Sequence, residues 1–340
     1  MEALHRIRRT EHSWQLRISC GRLISRFVPL FSHRPYYSLT DSMQAQTQLF
    51  YTGGDVRLLG TNMNDQSDPR VVEDSINNAA YTTDRESSLA AYWPWLVCQS
   101  PNGGLVHVRN NPPANLNPAS TWGSADIGVT ALAGTKLAMV PLSTNYTNIA
   151  GKGGYGVFYQ GTDSRLSVTI THLSEMNSTY VQSWPTSAFS CDLAVEERKL
   201  ISVPALPSIT MPKRAAIAAF SVARPADTQQ RVNTYVLYLD SASNINMLYT
   251  DSSSGSAIWR TSQPAALRGV DSTSNIACLT MATSVRDEAG NAVMLEEASD
   301  DTKCFFQKGG ALMEARLNGL DWIVETMSIA NDTVPKKSSR

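Results

Sequence analysis

Charged side chains are scarce in this chain: Asp, Glu, Lys and Arg make up 17% of its 340 residues, against about a quarter in an ordinary soluble domain. Its solvated surface must therefore be built largely from Ser, Thr, Asn and Gln. Long apolar runs are missing too. None reaches the roughly 18 residues that a membrane-crossing helix needs, so no membrane span is expected. Of five histidines, His5, His12 and His33 lie near the N-terminus, which leaves His107 and His172 for the body. Two such distant residues build no local zinc site, and no G-x-S-x-G elbow accompanies them to suggest a Ser-His-Asp triad. The five cysteines, Cys20, Cys98, Cys191, Cys278 and Cys304, show no CxxC spacing and are odd in number. That speaks against a metal knuckle and against a disulfide framework. Cys98, Cys278 and Cys304 stand inside apolar runs and read as small buried hydrophobes. No metal and no other cofactor is expected.

Charge of one sign is missing locally as well. Residues 1–40 hold seven arginines and no lysine, against only Glu2 and Glu11. Since the whole chain has a net charge of −1, the body is mildly acidic and offers no electrostatic footprint for a phosphate backbone. Nucleic acid is not an expected partner. The basic leader has the arginines, serines and few acids of a mitochondrial presequence, and equally the composition of an unstructured extension. Arginines break its apolar stretch, so it has no h-region of a secretory signal. The organisation expected is a disordered Arg-rich segment 1–43, a folded domain 44–330 and a disordered tail 331–340. Residence is expected to be cytoplasmic, or mitochondrial if the leader acts as a presequence.

What the chain does have is a repeat. "SSLAAYW", "GTKLAMVPL", "RAAIAAFSV" and "TSNIACLTM" share Leu or Ile, then Ala, then a small or apolar residue, anchored at Leu89, Leu137, Ile217 and Ile276. Each anchor is followed by strand-like text, a polar turn, another strand and a tryptophan: Trp122, Trp184, Trp259 and Trp322. The interval from Leu137 to Ile217 is long enough to contain an insertion, and the last unit has one strand more than the others. An earlier hairpin, "TQLFYTGGDVRLLG", has a Gly-Gly turn but no anchor. Short β-branched and aromatic runs bounded by Gly, Asn, Asp and Ser read as antiparallel strands. Small antiparallel sheets repeated along one chain are the signature of a propeller. An all-β propeller of five or six blades is therefore expected. Only "PRVVEDSINNAAY" has the spacing of a short amphipathic helix.

This unit, GT-x-[LI]-A, then [VL]-[FY]-Y, a turn, a strand and Trp, resembles the repeat of the fungal fucose-specific lectins, six-bladed propellers that bind sugar between adjacent blades. The resemblance spans residues 44–325. In that family a site draws on an Arg at the start of the second strand, a Glu on the third, and aromatic residues including a Trp near the end of the repeat. Arg presents a rigid fork of donors, a carboxylate accepts hydroxyl protons, and an indole covers the apolar side of a sugar. Carried onto the last unit, the resemblance implies a ligand site of Lys303, Glu314 and Trp322. The second unit has Trp95, His107 and Trp122 at these places, the third Gly156, Val168 and Trp184, and the fourth Tyr235, Met247 and Trp259. The tryptophans persist while the polar pair does not. Locking each blade's outer edge to its neighbour is the other role such tryptophans could fill.

The resemblance implies a non-enzymatic carbohydrate-binding protein whose partner is a glycan or glycoconjugate, held by aromatic stacking and polar contacts. Two alternatives stand beside it. One is a propeller-type glycoside hydrolase using a carboxylate pair from among Glu86, Glu196, Glu197, Glu296, Glu297, Asp300 and Asp301. The other is a degenerate propeller that serves as a protein-interaction scaffold. "GKGGYG" at 151–156 satisfies G-x-G-x-x-G, but "VFYQ" after it reads as a strand. A dinucleotide site requires a helix there, so the segment reads as an interblade turn.

Overall fold

The computed structural model describes residues 27–30, 48–62, 65–74, 78–92, 95–111, 121–141, 154–172, 206–223, 232–250, 259–278, 284–286, 292–294, 302–318 and 321–327. These residues form an all-β propeller of five blades. The first contains β1 (Phe27–Leu30), β2 (Gln48–Thr52), β3 (Leu58–Asn62) and β4 (Asp65–Val71). The second contains β5 (Ala90–Tyr92), β6 (Trp95–Gln99), β7 (Gly104–Asn111) and β8 (Thr121–Thr130). The third shows β9 (Ala138–Pro141), β10 (Gly154–Gln160) and β11 (Leu166–His172), and Trp184 lies outside the described residues. The fourth contains β12 (Ile217–Ala223), β13 (Val232–Leu239), β14 (Ile245–Thr250) and β15 (Trp259–Ser262). In the fifth, β16 (Ala277–Cys278) is followed by a separate hairpin of β17 (Ser284–Arg286) and β18 (Ala292–Met294). The blade then resumes with β19 (Lys303–Lys308), β20 (Ala311–Asn318) and β21 (Asp321–Thr326). The extra strand expected in the last unit belongs to that inserted hairpin.

All pairings inside the blades are antiparallel, and the hairpins between second and third strands repeat one geometry. Val56, Gly103, Ser164 and Ser243 adopt φ of 63°, 89°, 65° and 60°, the left-handed residue with which a tight hairpin turn matches the twist of its strands. The carbonyl of each accepts from the segment that enters the next blade: Thr83 N donates to Val56 O, Ala131 N to Gly103 O, Met211 N to Ser164 O and Val270 N to Ser243 O, at 2.9–3.0 Å. These four donors stand at the same offset before Leu89, Leu137, Ile217 and Ile276. The anchors are therefore equivalent positions at the start of successive inner strands, and all four are buried.

Side chains alternate across a strand, and both faces of the second blade are covered by its neighbours, so the stretch "LVC" is apolar throughout. Leu96 and Cys98 join Phe50, Leu58, Val72, Val108 and Trp122 between the first two blades. Val97, on the other face, joins Leu105, Ile127, Met139 and Val157 between the second and third. A larger cluster runs from Phe158 through Phe220 and Leu237 to Phe306 and Trp322.

Three features differ from the sequence reading. The inner strand of the first blade is Phe27–Leu30, inside the Arg-rich segment, paired from Phe27↔Tyr51 to Leu30↔Gln48. The stretch with helical spacing instead continues β4 to Val71 and then forms a Glu73↔Ala80 bridge. Val72, buried beneath the second blade, holds that chain extended by accepting from Tyr81 N. Finally, Cys278 and Cys304 form a disulfide, which corrects the reading of both as unbonded core thiols. They are direct cross-strand partners of β16 and β19, a juxtaposition that a separation of 26 residues does not reveal.

Candidate functional site

The last blade is where the sequence placed its one polar constellation. In β19, Cys304 and Phe306 turn to one face, and Lys303 and Phe305 to the other. The register sets Lys303 opposite Arg316, Phe305 opposite Glu314 and Cys304 opposite Ala315. Lys303, Glu314 and Arg316 thus share a face. Their side chains meet there: Glu314 Oε1 lies 3.3 Å from Lys303 Nζ and 3.2 Å from Arg316 Nε. Arg316 Nη2 donates to Glu325 Oε2 at 2.9 Å. Glu314 is the most enclosed member, with 15% of its side chain exposed against 29% for Lys303 and 38% for Arg316. Exposed ion pairs of this kind stabilise a fold by about 1 kcal/mol or less. Their effect here is positional. One carboxylate oxygen, Oε1, is shared by two cations.

Trp322 does not join this group. Its strand partner is Leu317, which lies on the Cys304 and Ala315 face, so its indole is directed to the opposite side of the sheet. There it is 6% exposed and meets Phe220 of the fourth blade edge to face, with centroids 6.0 Å apart. Trp122 meets Phe50 of the first blade at 5.5 Å and Trp259 meets Phe158 of the third at 6.0 Å, again edge to face. The described repeat tryptophans thus act as pins from one blade into the preceding one. The expected trio of Lys303, Glu314 and Trp322 is not gathered into one cleft, because two intervening hairpin registers turn the tryptophan away from the pair.

The corresponding places in other blades are closed by packing. His107 is 1% exposed; burial, reinforced by the Arg109 guanidinium, lowers its pKa to about 3. Val168 and Met247 are buried. Tyr235 stacks on Phe220 at 4.9 Å and on Tyr249 at 6.1 Å. Sequence reasoning missed Arg316 and Glu325. The alternation Glu-x-Arg in "ALMEARL" was their signal, since residues two apart on a strand share a face. Among the described residues no group of three His, Cys, Asp or Glu side chains could hold a metal ion, and no helix is long and apolar enough to cross a membrane.

No protein-family model matches the chain, and no curated protein matches it in sequence. Solved structures do. An arginine-to-alanine mutant of AofleA from Arthrobotrys oligospora superposes with a TM-score of 0.54 at 14% identity, over 84% of this chain and 70% of that one. Unmutated AofleA gives 0.52 at 14% identity, over 84% and 69%. A point mutant of the Aleuria aurantia lectin in complex with Fucalpha1-6GlcNAc gives 0.48 at 15% identity, over 84% and 75%. The resemblance read from the repeat holds for the fold alone: this chain, like the fungal fucose-specific lectins, is a propeller, here of five blades.

Proposed function

We propose that the protein is a carbohydrate-binding propeller and that it takes a sugar at the charged face of its fifth blade. The observation that carries this reading is the Glu314 carboxylate, part-buried and held by Lys303 and Arg316. In this arrangement the Glu314 carboxylate accepts a hydrogen bond from a sugar hydroxyl, and the ammonium and guanidinium donate to neighbouring oxygens. Arg316 supplies the planar fork that Lys303 lacks. Trp322 is left to its packing role against Phe220.

A glycan array probed with the full chain tests the reading. Binding to a defined set of glycans is expected, lost in Glu314→Gln and Arg316→Ala while their melting temperatures stay within a few degrees of the parent. An array without signal, or binding indifferent to both substitutions, refutes the site.

A further inference from the structure

We propose that the fifth-blade site selects acetamido sugars, the N-acetylhexosamines, and that Ile323 is the apolar wall that reads their acetyl methyl group. The proposal rests on the sugar-binding reading of this face and names the class of sugar it takes. Register places the residue. On β21, Ile323 stands directly opposite Arg316 and Glu325 directly opposite Glu314, while Lys303 of β19 stands opposite Arg316 from the other side. Directly opposed residues of an antiparallel pair share a face. Lys303, Arg316 and Ile323 therefore form one row across the blade, and Glu314 and Glu325 belong to the row beside it. Ile323 is 49% exposed, the one exposed large hydrophobic side chain among the described residues. It lies on the outer strand of its sheet, where an uncovered apolar residue is ordinarily a liability that charged neighbours must blunt. That residue stands at the end of the row that carries the two cations.

An acetamido group has a methyl, a carbonyl oxygen that accepts and an N–H that donates, and the face offers a counterpart to each at adjoining positions. Ile323 meets the methyl. The Arg316 guanidinium directs Nε at Glu314 Oε1 and Nη2 at Glu325 Oε2, at 3.2 and 2.9 Å. Five N–H donors are more than these two contacts use, so others can serve a carbonyl oxygen. Glu325 takes the amide N–H, since a carboxylate accepts at about four lone-pair positions. Ile323 and Glu325 are two residues apart on one strand, about 7 Å, and the guanidinium reaches from the first row to the second between them. With side chains 38% and 59% exposed, Arg316 and Glu325 are open to a ligand. Other sugars match less of this surface. A plain hydroxyl leaves Ile323 in water, and the methyl of a deoxy sugar covers Ile323 but offers nothing to Arg316 or Glu325. A carboxylate-bearing sugar brings its charge against Glu314 and Glu325.

The test measures binding of the full chain to multivalent conjugates of N-acetylglucosamine and N-acetylgalactosamine, of glucose and galactose as their hydroxyl counterparts, and of a deoxyhexose. The acetamido conjugates are expected to bind about tenfold more tightly than their hydroxyl counterparts, the gain of one covered methyl and the amide hydrogen bonds. Ile323→Ser should cut that preference to about threefold or less, because the amide hydrogen bonds alone remain. Ile323→Val should keep it. Both variants should melt within a few degrees of the parent, since the side chain is half in water. Equal binding of acetamido and hydroxyl conjugates overturns the proposal, as does tighter binding of the deoxyhexose or a preference that survives Ile323→Ser. If any of these results appears while Glu314→Gln still abolishes binding, the sugar site stands and its acetamido selectivity fails. If no conjugate binds, or binding ignores Glu314→Gln, the site itself fails and the selectivity with it.

Discussion

Trp322 of the fifth blade stands edge-on to Phe220 of the fourth, ring centroids 6.0 Å apart and planes at 83°. An indole buried in this way contributes through area and geometry rather than through a ligand. Trp322→Ala is expected to destabilise the fold by about 3–5 kcal/mol, the usual range for deleting a large core aromatic. Lys303→Ala, on the other face of the same blade, should change stability by about 1 kcal/mol or less. Denaturant unfolding of the two variants checks this, and equal effects contradict the division of roles.

How much of this was legible depended on register. The anchors Leu89, Leu137, Ile217 and Ile276 could be found because close packing near the ring axis selects the same small apolar text each time. The tryptophans were equally visible, but their side of the sheet was not, because Trp322 is reached from Lys303 only through the pairings of β19 with β20 and β20 with β21. A slip of one residue at either turn reverses the face. The Gly309-Gly310 loop after Lys308 would by itself have fixed the first register and shown Arg316 opposite Lys303. The disulfide stayed hidden because its partners flank an insertion, and spacing alone sets no connectivity.

Two buried glutamines repeat an interblade device, and both should be intolerant of apolar replacement. Gln160, 0% exposed, donates toward Ser164 O, Met211 O and Pro212 O and accepts from Arg214 N at 2.7 Å. Gln99, also 0% exposed, does the same with Gly103 O, Ala131 O, Leu132 O and Gly134 N. Gln160→Leu strands several buried backbone groups, each at about 1–3 kcal/mol. A loss of about 3 kcal/mol or more is expected in chemical denaturation, with Gln99→Leu alike.

His107 makes the fold acid-sensitive in a defined window. Burial first, and Arg109 second, lower its pKa to about 3 from an ordinary value of 6.5. The unfolded chain therefore binds a proton that the folded chain refuses between those values. Stability from this group is whole above pH 6.5 and drains away as pH falls toward 3, by on the order of a few kcal/mol. His107→Gln should flatten the melting temperature between pH 6.5 and 4 relative to the parent. Parallel curves for the two proteins would dismiss His107 as the cause.

Gly134 and Gly54 make a matched pair for the backbone. Gly134 adopts φ +76°, and a Cβ there would meet Arg214 Nε at 2.7 Å and Glu86 Cβ at 2.9 Å. Left-handed backbone costs an ordinary residue about 1–2 kcal/mol, and the Glu86 contact is to a stem atom that cannot swing aside. Gly134→Ala is thus expected to cost about 2 kcal/mol or more. A Cβ on Gly54 meets nothing within 4 Å, so Gly54→Ala should be neutral or stabilise by about 0.5 kcal/mol through the unfolded chain. Calorimetric melting of both variants decides it. A neutral Gly134→Ala would mean that the segment entering the third blade sits farther from Glu86 than the propeller requires.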